Sequence, residues 1–411
     1  HVDLIEATGM QIKATSLDFT PMHKRMGFYV EQNILSCCAT LVMQGQDVID
    51  YKTFGYMDLE TKAPLRSDAI YRMYSSTKLV TSVALMMLYE EGLFALDDPL
   101  AKYLPQFADL SILKPDAQTD KDVVPAKQLI LIRHIMSHSA GLSYGFIEPD
   151  SIIDRAYVRA GLQVLTDFSL DLEEFCDRVA RLPLAYEPGT NWRYSVATDV
   201  CARLVEVLSG QTFDEFLQQR IFAPLGMPDT GFWVPPEKTG RFITQYAPLD
   251  FLDPMKPGLV KADDPIHGQY NQRPAFLSGG GGLVSTVADY VKFLQMIVGG
   301  GERQGVRLLR ASTLEEMRKN QLAPGVRVAF RMWTMPGTTF GLGFALKQIP
   351  QASEPASAQD EYHWGGMAGT HSWMAPNAGI TGFCLTQRMP GFWHPFSHEF
   401  KAHAYAIAGQ Q

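Results

Sequence analysis

The chain has 411 residues, 46% of them hydrophobic and 19% charged, which is ordinary globular composition and enough for more than one domain's worth of core. A formal net charge of −8 and the lack of any basic run with interleaved aromatics argue against nucleic acid, and the longest apolar run, near Leu79–Leu88, is too short to span a bilayer. Five cysteines, two of them adjacent and none in a C-x-x-C, form neither a disulfide framework nor a zinc pattern and fit a reducing, cytoplasmic setting.

Reading from the start, "HVDLIEATGMQIKATSLDF" carries no leader pattern, although a chain opening on His1 leaves room for one already removed. A helix-like segment precedes two strand-like runs, "ATLVMQGQDVIDYKTFGY", divided by a turn at Gly45. Next comes "MYSSTKLVTSVALMMLYEEGL", whose apolar residues recur at helical spacing. From about Ala101 to Pro274 helical stretches alternate with Pro- and Gly-bearing loops, with little strand character. Beyond Ser278 a helix leads to strand-like "FGLGFALKQI" and "HSWMAPNAGITGFCLTQ", with the polar "PQASEPASAQDE" between them as an exposed loop. A last helix begins near Ser397. The order describes a sheet drawn from both ends of the chain (1–100 and 275–411) with a helical domain (101–274) inserted and a site at their interface.

Chemistry concentrates at Ser75 and Lys78, an S-x-x-K pair at the start of a helix. Positions i and i+3 share a helix face, and the unpaired N–H groups of a first turn favour negative charge. The bland alternative is an N-cap serine and a solvated lysine. A second S-x-x-K, Ser111–Lys114, is followed at once by Pro115 and has no helix to present it. A serine hydroxyl is a weak nucleophile until a base takes its proton, and a tyrosine beside a lysine cation is one such base. Tyr194, in "EPGTNWRYSVATDV" just ahead of a helix, is the candidate. The glycines of "HWGGMAGTHSWM", Gly365 and Gly366, mark a strand edge where backbone approaches closely, a place for an oxyanion donor.

Other motifs fall away. His134 and His138 lack the glutamate and third ligand of a zinc site, so no metal is expected. The run Gly279–Gly282 lacks phosphate-loop spacing and reads as a close backbone approach. "GLSYG", Gly141–Gly145, matches the G-x-S-x-G nucleophile elbow, but no buried strand precedes Ser143 and Pro149 follows closely.

Taken together, these segments and "IRHIMSHSAGLSYGF", "YEPGTNWRYSVATDVCARLVEVLSG" and "SGGGGLVSTVADYVKF" resemble the class C β-lactamase and penicillin-recognising serine enzymes, most closely the family VIII carboxylesterases. Tyr194 follows the serine by 119 residues and Trp364 follows Tyr194 by 170. The resemblance implies an α/β (α+β) fold of the β-lactamase/transpeptidase type, with an antiparallel sheet flanked by helices and an inserted helical domain. It implies Ser75 as nucleophile, Lys78 and Tyr194 as its base pair, and backbone N–H groups of Ser75 and Met367 as oxyanion hole. Trp364, Gly365 and Gly366 stand where the lactamases have K-T-G, and Val196 where Y-x-N has its asparagine, so these four are expected to meet substrate. A literal K-T-G, Lys238–Gly240, reads as coincidence. The implied activity is cofactor-independent hydrolysis of small to medium uncharged esters through an acyl-enzyme, with promiscuous β-lactam cleavage. The alternatives are a β-lactamase, an acyltransferase or amide hydrolase on the same scaffold, or a non-catalytic penicillin-binding-like protein.

Overall fold

Seven strands form one antiparallel sheet: β1 (Cys37–Gln44), β2 (Asp47–Gly55), β3 (Thr338–Phe340), β4 (Ala345–Lys347), β5 (Tyr362–Gly366), β6 (Thr370–Ala375) and β7 (Ile380–Leu385). Their spatial order is β3-β4-β5-β6-β7-β1-β2, so the amino-terminal hairpin joins the carboxy-terminal strands through β1 and β7, with Ala39 opposite Leu385 and Gln44 opposite Ile380. The structure, a computed structural model, describes residues 8–332, 334–392 and 394–409. The opening residues read for a leader, 1–7, lie outside them.

Period-2 alternation lets each strand serve two cores. Ala39, Leu41 and Met43 of β1 face the larger core, and Cys38 and Val42 face the smaller one. The smaller core is closed by α1 (Thr20–Glu31) and by a helix near the carboxy end, Pro395–Ala408. Met22, Met26 and Tyr29 of the first meet Phe396, Phe400 and Ala404 of the second over Trp373.

The other face carries the site. There α2 (Thr77–Glu90) has every residue from Thr77 to Leu88 buried, because both its faces are covered. The chain then passes through α3 (Ile152–Arg159), capped by Ser151, and α4 (Leu172–Ala180), capped by Asp171, to α5 (Ala197–Ser209), which packs on α2. Next, α6 (Val287–Val298) starts at a Thr286 cap, and Pro395–Ala408 is α7. The glycine run before α6 is a close approach: a Cβ on Gly279 would lie 2.6 Å from the Ala202 Cβ and 2.9 Å from the Thr198 carbonyl.

Three local expectations need correction. The middle of the chain holds two small antiparallel ladders, Ser111–Leu113 with Val123–Pro125 and Gln245–Pro248 with Leu259–Asp263, too short to leave a periodic trace. The polar stretch before β5 ends in Glu361, which is fully buried rather than exposed, since Lys401 at 2.8 Å, Lys347 at 3.3 Å and the Tyr405 hydroxyl at 3.1 Å satisfy its carboxylate. The serine helix opens with a 3-10 turn, Tyr74–Ser76, before α2 proper. No helix among the described residues is long and apolar enough to cross a membrane.

Candidate active site

The nucleophile candidate is held by backbone on two sides. The Met73 N–H donates to the Leu283 carbonyl at 2.9 Å, and the Thr370 hydroxyl on β6 donates to the Met73 carbonyl at 2.9 Å. The Ser76 hydroxyl returns a bond to the Thr370 carbonyl at 3.1 Å, and the Tyr290 hydroxyl of α6 donates to the Ser76 carbonyl at 2.8 Å. Tyr74, immediately before Ser75, has φ +44°, the left-handed region that a bulky side chain enters only under constraint. The close approach of β5 to this turn explains Gly366, where a Cβ would collide with the Met73 carbonyl.

Two side chains converge on Ser75. The Tyr194 hydroxyl donates to Ser75 Oγ at 2.5 Å, and Lys78 Nζ donates to the same oxygen at 3.1 Å. Lys78 also donates to the Tyr144 hydroxyl and to the Gly280 carbonyl, both at 2.7 Å, so all three of its N–H bonds are used. Its Nζ lies 4.6 Å from the centre of the Tyr194 ring. Behind it, Asp199 on α5 accepts from the Ser278 hydroxyl at 2.6 Å and the Gly280 N–H at 2.9 Å, which fixes the Gly280 carbonyl on the lysine. Burial pushes the Asp199 carboxyl above its ordinary range, against the pull of the Lys78 ammonium. Burial also raises Tyr144 well above an ordinary phenol, with the Tyr194 hydroxyl adding to the effect, so Tyr144 stays a neutral partner of Lys78. His138 is driven well below 6.5 by burial and by Lys78; it is neutral, with Nδ1 3.1 Å from the Ser195 hydroxyl and its ring 5.0 Å from that of Tyr194.

The serine opens onto a cavity of about 230 Å³. Its walls are largely apolar, with Phe146, Ile147, Leu165, Phe168, Phe330 and Phe392 among them, and Arg331 is the one charged lining side chain among the described residues. Arg331 stands at the rim, half exposed and paired with Asp150. Met367 lines the cavity with Ser75. The Gly366 carbonyl accepts from Gly369 at 3.0 Å. A trans peptide therefore turns the Met367 N–H the opposite way.

The four residues expected to touch substrate lie elsewhere. Trp364 is 0% exposed and off the cavity wall; its indole N–H donates to the Tyr194 hydroxyl at 3.1 Å, and its ring packs against Phe330, Phe340 and Phe392. Gly365 and Gly366 are buried and pack against His371 and the Met73 turn. Val196 is buried at the N-cap of α5, its N–H on the Ser143 carbonyl at 3.1 Å. Strand β5 aims Trp364 into the core, so the indole reaches the tyrosine rather than the cavity. What sequence reasoning missed is Tyr144. It lies inside "GLSYG", set aside as a whole, and the signal was the valine at position 196, which leaves Lys78 short of a partner.

Ser143 itself is fully buried. Its hydroxyl donates to the Asp154 carboxylate and accepts from Arg193 Nε at 2.7 Å, with Arg193 Nη2 3.0 Å from Asp154. Lys238 of the literal K-T-G sits in a 3-10 turn, paired with Asp229 at 3.0 Å.

The comparisons agree with this architecture. The beta-lactamase family profile matches residues 28–406, and the chain belongs to that family. Among curated relatives, Esterase EstB of Burkholderia gladioli is 28% identical over 396 residues, covering 92% of this chain and 94% of EstB. Acyltransferase calJ of Penicillium decumbens is 29% identical over 378 residues, covering 85% and 83% of the two chains. Among solved structures, EstCE1, described as a hydrolase with promiscuous acyltransferase activity, superposes with a TM-score of 0.79 at 23% identity, over 94% of this chain and 98% of its own.

Proposed function

We propose that this protein is a serine esterase that works through an acyl-enzyme on small to medium uncharged esters. The observation that carries the reading is the convergence of the Tyr194 hydroxyl and Lys78 Nζ on Ser75 Oγ at the wall of an apolar cavity. The reactive state is the one in which the Tyr194–Lys78 pair holds one proton fewer than a full phenol and ammonium, and the Ser75 proton fills that place as Oγ bonds to the acyl carbon. The N–H groups of Ser75 and Met367 hold the oxyanion. Collapse of the tetrahedral adduct expels the alcohol, which takes the proton from the pair. Water then repeats the sequence and frees the acid. Trp364 acts through Tyr194: its indole N–H on the phenolic oxygen fixes the direction of that hydroxyl.

An uncharged substrate fits walls that offer one cation, at the rim and already paired with Asp150. The lysine that greets a β-lactam carboxylate in related sites is absent at position 364, so cephalosporin cleavage is proposed only as a slow side reaction. Transfer of the acyl group to an alcohol in place of water is the second reading, favoured by the likeness to Acyltransferase calJ. The test is turnover of p-nitrophenyl acetate, butyrate and a longer ester beside nitrocefin, with and without added alcohol. Esters should exceed nitrocefin in kcat/KM by orders of magnitude. Nitrocefin turnover equal to the esters would overturn the reading, and acyl-alcohol as the main product would select transfer.

A further inference from the structure

The cavity is apolar except at one end. There the side chain of Tyr74 meets Tyr270, and both rings line the cavity. Gln245 Nε2 donates to the Tyr74 hydroxyl at 3.0 Å, and the Tyr270 hydroxyl interacts with the same oxygen. With Gln245 donating inward, the bond between the two phenols spends one of their two protons and the other has no acceptor among the described contacts, although phenols placed this deep ordinarily spend theirs.

Charge is kept behind this end rather than in it. Arg72, fully buried, lies with its guanidinium 4.0 Å from the centre of the Phe242 ring and 5.6 Å from that of Tyr270. It is neutralised by Asp263, whose carboxylate accepts from Nε at 2.7 Å and lies 2.6 Å from Nη2. Burial raises both phenols, so they remain neutral donors. The left-handed backbone of Tyr74 adds a second, independent observation. A phenylalanine or tyrosine at φ +44° is an outlier that a glycine would remove, and such outliers persist where the surroundings force them and cluster at working sites. Here the strained residue carries one of the two phenols and adjoins the nucleophile.

We propose that Tyr74 and Tyr270 form a subsite for a second, neutral oxygen acceptor on the substrate, a ketone, ether or lactone oxygen borne on one arm of the ester. The proposal rests on the ester reading of Ser75. It assigns the far end of the substrate to hydrogen bonding and the rest to apolar contact. A carboxylate is disfavoured there, because Arg72, the cation behind this end, is already paired with Asp263.

The experiment compares p-nitrophenyl heptanoate with its 4-oxo, 5-oxo and 6-oxo derivatives, and in parallel acetate esters of heptanol with acetates of the corresponding keto-alcohols. One ketone position in one arm should gain about 3- to 10-fold in kcat/KM over the parent, the span of a neutral hydrogen bond. In Tyr74→Phe and in Tyr270→Phe that ratio should fall toward one, a readout that does not depend on how active each variant is. A flat series in the native protein, or a gain that survives in both phenylalanine variants, overturns the subsite while leaving the esterase reading intact. No turnover of any ester, parent included, overturns both.

Discussion

Two serines, one opening onto a cavity and one fully buried, stand a few residues from each other's partners and do opposite things. Tyr144 and Tyr194 belong to the Ser75 cluster, while their chain neighbours Ser143 and Arg193 belong to another, closed around Asp154. In the first, the oxygen receives hydrogen bonds from a phenol and an ammonium and faces a cavity. In the second, the hydroxyl donates to a carboxylate, accepts from a guanidinium and meets no open space. A motif names a serine. What makes one reactive is access, a base able to accept its proton, and donors aimed where charge will develop. The Ser143 cluster joins a serine, a carboxylate and a guanidinium as a buried polar lock between α3 and the loop before α5.

The comparison is sharpest in a pair of alanines. Ser75→Ala should abolish ester turnover by several orders of magnitude with little change in melting temperature. Ser143→Ala should keep turnover yet lower stability by about 1–3 kcal/mol, because Arg193 and Asp154 lose a buried partner. Steady-state kinetics beside urea unfolding reads both, and the reverse pattern would hand the chemistry to the elbow serine.

Within the reactive cluster, Lys78→Ala and Tyr194→Phe should each cost about two to four decades in kcat, and the double variant little more, since both groups serve one proton. Additive losses would show them acting in separate steps.

Acid should weaken the frame that holds the site. Burial holds His134 and His394 at about 4, below the 6.5 of an exposed imidazole. A depressed folded value means that the unfolded chain binds the proton first. Stability is then complete above 6.5 and declines as pH falls toward 4, by up to about 1.4 kcal/mol per pH unit for each histidine. Urea unfolding at pH 7, 6 and 5 should show falling midpoints; a flat series would mean that these rings are not buried as described.

The smallest effect concerns Trp364. Trp364→Phe keeps most of the ring packing and removes the donor to Tyr194, so kcat should fall about 2- to 12-fold with KM nearly unchanged. A change confined to KM would put the indole against substrate after all.

Much of this was legible in the chain. Ser75 and Lys78 are local, three residues apart on one turn, and period-2 and helical patterns located β1, β2 and α2. Tyr194 needed the long-range order of motifs. Trp364 was placed on the right strand but the wrong side of the site, because alternation separates two faces without saying which holds the cavity. The Lys347–Glu361–Lys401 cluster joins β4, the start of β5 and α7, and three distant segments leave no common signature. Tyr144 was hidden by a stronger motif that contained it.

The pairing of β1 with β7 has a consequence for how the chain is made. Residue 39 finds its partner only at residue 385, so the strand beneath the nucleophile helix has one edge open until residues 380–385 have been made. Closing a loop of that length is entropically expensive and slow, and an unpaired apolar strand edge is a template for other chains. The nascent chain is therefore more exposed to aggregation before residues 380–385 emerge, and the catalytic geometry cannot close before they do.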